Sequence, residues 1–149
     1  MQFNPLQSII FLTNRTGRLL SQAVWEKVDG DLVEIMQQHM GILIELWQKD
    51  GLRQQDLATS VLKDKATITR SLRFLESKNM LVRVADPQDK RTKRIYLTHK
   101  GREFKNYLVP KAKAAIEEAT TGIDEQEFET CKKVLVQIYQ NLNSCESNK

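Results

Sequence analysis

Residues 86–101 read Asp-Pro-Gln-Asp-Lys-Arg-Thr-Lys-Arg-Ile-Tyr-Leu-Thr-His-Lys-Gly, and no other stretch constrains the fold as strongly. Two short apolar runs, Met80–Ala85 and Ile95–Leu97, flank a polar loop. Four cations fall within five residues of that loop: Lys90, Arg91, Lys93 and Arg94. Strand-like runs around a turn segment predict a β-hairpin, and the lack of an Asn-Gly pair favours a loop longer than two residues. The sequence therefore predicts a β-hairpin with a cationic tip.

Two short helices are predicted immediately before this hairpin. The first spans Arg53 to about Val61, and Asp64 is a suitable N-cap for the second. The second helix has small and polar residues in its first turns and one apolar face, formed by Ile68, Leu72 and Leu75. Short side chains permit close approach to a DNA major groove, where Arg and Lys reach guanine. A helical pair followed by a cationic hairpin is the layout of a winged helix-turn-helix domain. The alternative is an ordinary amphipathic helical hairpin with a polar outer face.

Charge is distributed unevenly along the chain. Residues 53–105 hold 14 Lys and Arg against 6 Asp and Glu, a net charge of +8, although the whole chain carries only +4. A basic middle between acidic ends suggests that only the middle approaches a polyanion. A charged surface facing only solvent would look the same on charge alone.

Longer helices are predicted on both sides of the basic middle. The apolar spacing indicates helices from about residue 6 to 28 and from 32 to 47. Thr98 is a suitable N-cap for a helix that runs through Ala119 past Pro110, and Asp124 for a last helix. The predicted fold class is therefore mainly α, or α+β, with a two-stranded wing.

Other classes of protein are disfavoured by what the sequence lacks. We find no Gly-rich phosphate loop, no Gly-x-Ser-x-Gly motif and no paired His for zinc, so we expect no enzyme activity, cofactor or metal. The longest apolar runs are far shorter than the roughly 20 residues of a membrane span, and the N-terminus shows no secretory signal. Cys131 and Cys145 form no disulfide framework, and Cys131 is expected to be a buried small hydrophobe. We therefore expect a cytoplasmic protein that does not bind membranes.

The chain resembles the MarR (multiple antibiotic resistance regulator) family of winged-helix transcriptional regulators. The matching segments are Asp56–Ala58, Asp64–Arg70, Leu75–Val82, Asp86–Arg91 and Ile95–Gly101. The Asp-x-Arg pattern, followed by hydrophobic-x-Leu-Thr-x-x-Gly, is the most specific part of the likeness. It implies a homodimer whose N- and C-terminal helices form the dimer interface.

The resemblance also implies roles for individual residues. Arg91 would enter the minor groove, and Asp89 would orient it through a charge-assisted hydrogen bond. Thr67 and Arg70 would face the major groove. Lys63 stands where the family usually has an apolar residue, and it is expected to point to phosphate; Leu62 stands where Gly is frequent, and Asn79 replaces another common Gly. The full predicted DNA-binding set is Gln54, Gln55, Lys63, Lys65, Thr67, Thr69, Arg70, Arg73, Asp89, Lys90, Arg91 and Lys93.

A second set of residues is predicted to line a ligand pocket between the dimerisation and DNA-binding parts. In the family, aromatic acids and other small lipophilic compounds bind there. The candidates are Phe11, Trp25, Met36, His39, Met40 and Tyr107. Core packing explains the same Met and aromatic residues equally well, and His39 is expected to be a hydrogen-bonded core or interface histidine.

The leading hypothesis is a regulator, more often a repressor in this family, that binds an inverted-repeat operator in double-stranded DNA. We expect residues 1–31 to form an N-terminal dimerisation helix, 32–105 the winged helix-turn-helix and 106–149 the C-terminal dimerisation helices. The alternative is a winged-helix dimer that acts as a protein-interaction module without operator readout. The operator, the effector, the sign of regulation and a redox role for either cysteine stay open.

Overall fold

The computed structural model describes residues 4–146, and the side chains of residues 4–143. The chain falls into two compact units, which divide between Ala115 and Ile116. A short 3-10 turn at Pro5–Gln7 precedes the regular elements. These elements are α1 (Ile9–Trp25), α2 (Gly30–Gln38), α3 (Met40–Gln48), β1 (Leu52–Arg53), α4 (Gln54–Ser60), α5 (Lys65–Ser77), β2 (Leu81–Ala85), β3 (Lys93–Leu97), α6 (His99–Ala119) and α7 (Glu125–Glu146).

The predicted helix starts are confirmed by their capping hydrogen bonds. The backbone N–H of Thr67 donates to Asp64 Oδ1 at 2.8 Å, and that of Gly101 donates to the Thr98 hydroxyl at 3.0 Å. Asp124 accepts in the same way from the backbone of Gln126. Each side chain satisfies a backbone donor that the first helical turn leaves unpaired. The seven α-helices of the described residues, together with the hairpin of β2 and β3, confirm the predicted mainly helical winged fold.

The wing contains one strand more than predicted. The described residues form a three-stranded antiparallel sheet in the order β1-β3-β2. β2 and β3 make the expected hairpin, with Leu81 opposite Leu97 and Ala85 opposite Lys93. β1 adds two residues on the other side of β3, where Leu52 pairs with Ile95.

The continuous helix predicted from 32 to 47 is wrong, because the structure divides it into α2 and α3 at His39. His39 has φ −126° and ψ 0°, outside the α-helical region. The apolar residues of both helices nevertheless reach one core, which includes Ile35, Leu43 and Leu46. The hydrophobic period therefore continues across the break and conceals it.

The start of α6 lies against the loop that precedes β2. A Cβ on Gly101 would lie 2.0 Å from the Met80 carbonyl oxygen, so a side chain at this position is excluded. Thr98 strengthens the same junction by donating from its hydroxyl to the Asn79 carbonyl at 2.6 Å. The Thr-x-x-Gly pattern thus fastens α6 to the end of α5 and positions the wing beside it.

Within the part of the chain that the structure describes, no helix has both the length and the apolar character needed to cross a membrane.

Candidate nucleic-acid interface

A groove of about 640 Å³ lies between the start of α4, the start of α5 and the wing. Half of the predicted DNA-binding residues line it: Gln54, Gln55, Lys63, Lys65, Arg91 and Lys93. Asp56 is the one acidic residue among the lining residues. Arg53 of β1 also lines the groove, so its cations come from β1, from the start of α5 with the turn before it, and from the wing, as a phosphate-binding surface requires.

The first turn of α5 contains a chain of three linked side chains. The Thr67 hydroxyl lies 2.7 Å from Asp64 Oδ2 and 3.2 Å from an Arg70 guanidinium nitrogen. Arg70 is exposed, whereas Thr67 is half-buried. Hydrogen bonds from Thr67, first its hydroxyl and then its backbone N–H, lower the pKa of Asp64 below its ordinary value. Asp64 therefore carries a full negative charge at neutral pH.

A second hydrogen-bonded pair joins α4 to α5. The Thr69 hydroxyl donates to the Lys65 carbonyl at 2.7 Å, so it can only accept from Gln54, whose amide nitrogen lies 3.1 Å away. This contact braces the start of α4 against α5. It gives Gln54 a structural role besides the phosphate contact predicted for it.

Asp89 shapes the tip of the wing through the backbone. Its Oδ1 accepts from the Arg91 backbone N–H at 3.0 Å, and its Oδ2 accepts from the Thr92 hydroxyl at 2.9 Å. Among the described residues, the Arg91 guanidinium forms no ion pair with Asp89, so the expected charge-assisted bond between these side chains is absent. Asp89 instead holds the turn that presents Arg91, whose side chain is exposed.

Arg94 does not belong to the cationic tip. Its guanidinium donates to Asp86 Oδ2 at 2.6 Å and to the Gly51 carbonyl at 3.0 Å. Asp86 is a buried carboxylate, and its pKa is lowered first by the Gln88 backbone N–H and then by Arg94. Counting Arg94 among the four cations of the tip was therefore wrong: it holds the base of the wing.

Lys63 is directed into the protein. Its ammonium donates to the Gln38 carbonyl at 2.9 Å, at the end of α2, and lies 3.4 Å from the Ser71 hydroxyl. A cation at the C-terminus of a helix hydrogen-bonds to a carbonyl that the helix leaves unpaired, and it interacts favourably with the negative end of the helix dipole. The sequence signal for this role is weak, because an isolated Lys in a turn is ordinarily solvated.

The remaining predicted cations are free to meet a ligand. Lys65, Arg73 and Lys90 have exposed side chains, as does Lys93 at the start of β3. Gln55 is also exposed. Their exposed positions on α4, α5 and the wing are compatible with contacts to the DNA backbone. Those contacts stay a prediction.

The six predicted ligand-binding residues do not share one environment. Phe11 lines an open groove of about 770 Å³ along α1. Met36 lies in the core, Trp25, Met40 and Tyr107 pack against it, and the Tyr107 hydroxyl donates to Asp29 Oδ2 at 2.7 Å. His39 is buried beside Phe74, with 4.5 Å between ring centroids.

Two expectations about single residues are wrong. Among the described residues, His39 Nδ1 is buried without a hydrogen-bond partner, whereas a hydrogen-bonded core histidine was expected. Burial, followed by the nearby charge of Lys63, lowers the pKa of His39, and the smaller effect of Glu34 opposes this. Cys131 is exposed rather than buried, because α7 presents its apolar face to solvent. The side chain of Cys145 lies outside the described set.

Comparisons with known proteins agree with this architecture. The model of the MarR family matches residues 35–93, from α2 to the start of β3. The uncharacterized HTH-type transcriptional regulator YdgJ of Bacillus subtilis is 31% identical over 113 residues, which cover 76% of this chain and 69% of YdgJ. The HTH-type transcriptional regulator MhqR of the same organism is 30% identical over 100 residues, covering 67% of this chain and 69% of MhqR.

A solved structure extends the likeness to most of the chain. BpsR of Bordetella bronchiseptica, whose DNA binding is regulated by 6-hydroxynicotinic acid, superposes with a TM-score of 0.76. The superposition covers 93% of this chain and 98% of BpsR at 19% identity, a level that supports the fold alone.

Proposed function

Because the chain belongs to the MarR family of DNA-binding transcriptional regulators, we propose that it is a repressor that binds an inverted-repeat operator as a homodimer. The observation that carries the proposal is the shared groove, where Lys65 of α5 and Arg91 of the wing line one surface. On this proposal, α5 enters a major groove and Arg91 the adjacent minor groove. Gln55, Arg73, Lys90 and Lys93 contact the DNA backbone.

Uncovered apolar surface on α1 and α7 supports the homodimer. In the described chain, α1 has no buried side chain, and Ile10 is 78% exposed. On α7, Val134, Ile138 and Leu142 are between 39% and 67% exposed. Apolar surface on this scale normally marks an interface. A two-fold dimer then places its two α5 helices on half-sites roughly 34–36 Å apart, or a multiple of that distance.

Release from DNA by a small aromatic or lipophilic ligand is the regulatory part of the proposal. The regulation of BpsR by 6-hydroxynicotinic acid is the precedent. Linkage requires such a ligand to bind the free protein more tightly than the DNA-bound protein. The candidates for that site remain the six predicted ligand-binding residues: Phe11, Trp25, Met36, His39, Met40 and Tyr107. A cytoplasmic location belongs to the same proposal, because the protein works where it meets chromosomal DNA.

The proposal is tested by selecting sequences from a random pool of duplexes with the wild-type protein. We expect an enriched inverted repeat, bound by one dimer, with an affinity that falls steeply as salt rises. Binding that stays unselective and indifferent to salt contradicts operator recognition and favours the protein-interaction module. A monomer at micromolar concentration in sedimentation contradicts the homodimer.

A further inference from the structure

The hydroxyl of Thr67 has only one proton, and the protein uses it internally. Thr67 Oγ1 lies 2.7 Å from Asp64 Oδ2 and 3.2 Å from the Arg70 guanidinium. An ionised carboxylate can only accept, and a guanidinium can only donate. The direction of both hydrogen bonds is therefore determined: Thr67 donates to Asp64 and accepts from Arg70.

We propose that Asp64 is a positioning residue which, through Thr67, makes the start of α5 selective for bases that present an amino group. With its proton held by Asp64, the Thr67 hydroxyl offers the DNA only an oxygen lone pair. In the major groove, the amino groups of adenine and cytosine donate to such an oxygen, whereas guanine and thymine present acceptors. The inference rests on the proposed function, because it assumes that α5 lies in a major groove.

The same arrangement restricts Arg70. Its contact with Thr67 joins positions one helical turn apart, on one face of α5. A long side chain that is held before binding loses less conformational freedom when it meets its target. Asp64 thus acts on two side chains. It makes the Thr67 hydroxyl an acceptor toward the DNA, and through Thr67 it positions the Arg70 guanidinium.

Asp64 also caps α5 through its other oxygen, which accepts from the Thr67 backbone N–H. A capping role alone would alter helix stability but leave base preference unchanged. The two roles separate because different oxygens carry them. Asp64→Asn keeps the capping oxygen and replaces the other oxygen with an amide nitrogen, which donates to Thr67 and frees the hydroxyl proton. Asp64→Ser keeps a capping oxygen and lacks the second one.

The experiment selects duplexes from a random pool with the wild type, Asp64→Asn, Asp64→Ser and Thr67→Val, after circular dichroism confirms folding. Asp56→Asn is the charge-matched control, because it removes one acidic charge from the neighbouring helix α4, where Asp56 is exposed and lines the groove between α4, α5 and the wing. Base preference is then measured by anisotropy with single-base variants of the selected site, alongside an unrelated duplex.

We expect an adenine or cytosine preference at one position of each half-site. Thr67→Val should abolish this preference. Either Asp64 variant should reduce the affinity ratio between preferred and other bases by about three- to tenfold, which corresponds to one neutral hydrogen bond. Asp56→Asn should leave it intact. If the Asp64 variants weaken binding to every duplex equally and keep the wild-type preferences, Asp64 is only a cap and the inference is overturned while the proposed function stands. If the wild type selects no site, both are overturned.

Discussion

Arg94 donates from Nε to Asp86 Oδ2 over 2.6 Å, and this ion pair holds the base of the wing. The Asp86 carboxylate is 3% exposed, and a second guanidinium, that of Arg53, lies 4.0 Å from the same oxygen. The Asp86 carboxylate therefore links Arg94 of β3 with Arg53 of β1. Arg94 also donates to the Gly51 carbonyl just before β1. The cationic tip is therefore carried on a braced hairpin.

Replacing Asp86 with Asn should destabilise the protein at neutral pH, and the destabilisation should be smaller in acid. The folded-state pKa of Asp86 is lowered, so its contribution is present above the ordinary Asp pKa of about 3.9 and is lost as pH falls through the folded-state value. Urea unfolding at pH 7 and pH 3 measures the difference between variant and wild type. The exposed Asp56→Asn is the control, and a pH-independent difference would refute the ion-pair account.

Leu62→Gly should stabilise the chain. Leu62 has φ +52° and is 79% exposed, so it adopts a left-handed conformation with little burial in return. Relief of about 1–2 kcal/mol of strain, less about 0.5–1 kcal/mol for the extra freedom of unfolded Gly, leaves a gain of roughly 0.5–1 kcal/mol. Asn79→Gly, at φ +57°, is the matched control and should gain less, because Asn tolerates this region. Equal gains at both positions would contradict this reasoning.

His39 should make the protein less stable as pH falls through its ordinary pKa of about 6.5. Its folded-state pKa is lowered by burial and Lys63, so the unfolded chain binds more protons in the window below 6.5. His39→Phe removes the titrating group. The free energy of unfolding, measured with urea, should then change little between pH 7.5 and 5.5. The exposed His99→Gln serves as the control. A wild-type slope retained in His39→Phe would show that another group titrates.

A charge on the apolar face of α7 should weaken the proposed dimer. Ile138 is 39% exposed in the single chain, and an interface that covers it contributes about 1.5–3 kcal/mol at most from this side chain. Ile138→Glu removes this contribution and also leaves an unpaired carboxylate in the interface, so it should raise the dimer dissociation constant by about tenfold or more in sedimentation equilibrium. Lys133→Glu introduces the same side chain at another exposed α7 position and should change it far less. Equal effects would place the interface elsewhere.

Local signals in the sequence predicted most of the fold. The caps at Asp64, Thr98 and Asp124 depend on neighbouring residues, so they can be identified without tertiary information. Strand β1 was missed, because two residues carry no periodicity and Leu52 pairs with a residue far along the chain. The break at His39 was missed because neither Gly nor Pro marks it.

The site was less predictable than the fold. The sequence indicated which segments carry the cations that line the groove, and their contact with DNA stays a prediction. The partners of Lys63 and Arg94 were not predicted. Lys63 contacts the end of α2, and Arg94 contacts the carboxylate of Asp86, which lies two residues beyond Val84, the residue opposite Arg94 in the hairpin. Which cations face DNA depends on such tertiary contacts, and a charge pattern alone does not contain them. The sequence predicted that Asp64 caps α5 through one oxygen. It did not predict that the other oxygen accepts from the Thr67 hydroxyl.

Arg91 provides the most direct test of the account that this chain reads DNA with α5 and the wing together. Fluorescence anisotropy on the selected operator compares Arg91→Ala with Arg91→Lys, which keeps the charge, and with Lys90→Ala, which removes a neighbouring one. We predict that Arg91→Ala weakens binding by about 1–3 kcal/mol, that Arg91→Lys recovers only part of this loss, and that Lys90→Ala weakens all duplexes alike with a shallower salt dependence. Operator affinity in Arg91→Ala equal to that of the wild type would contradict the account.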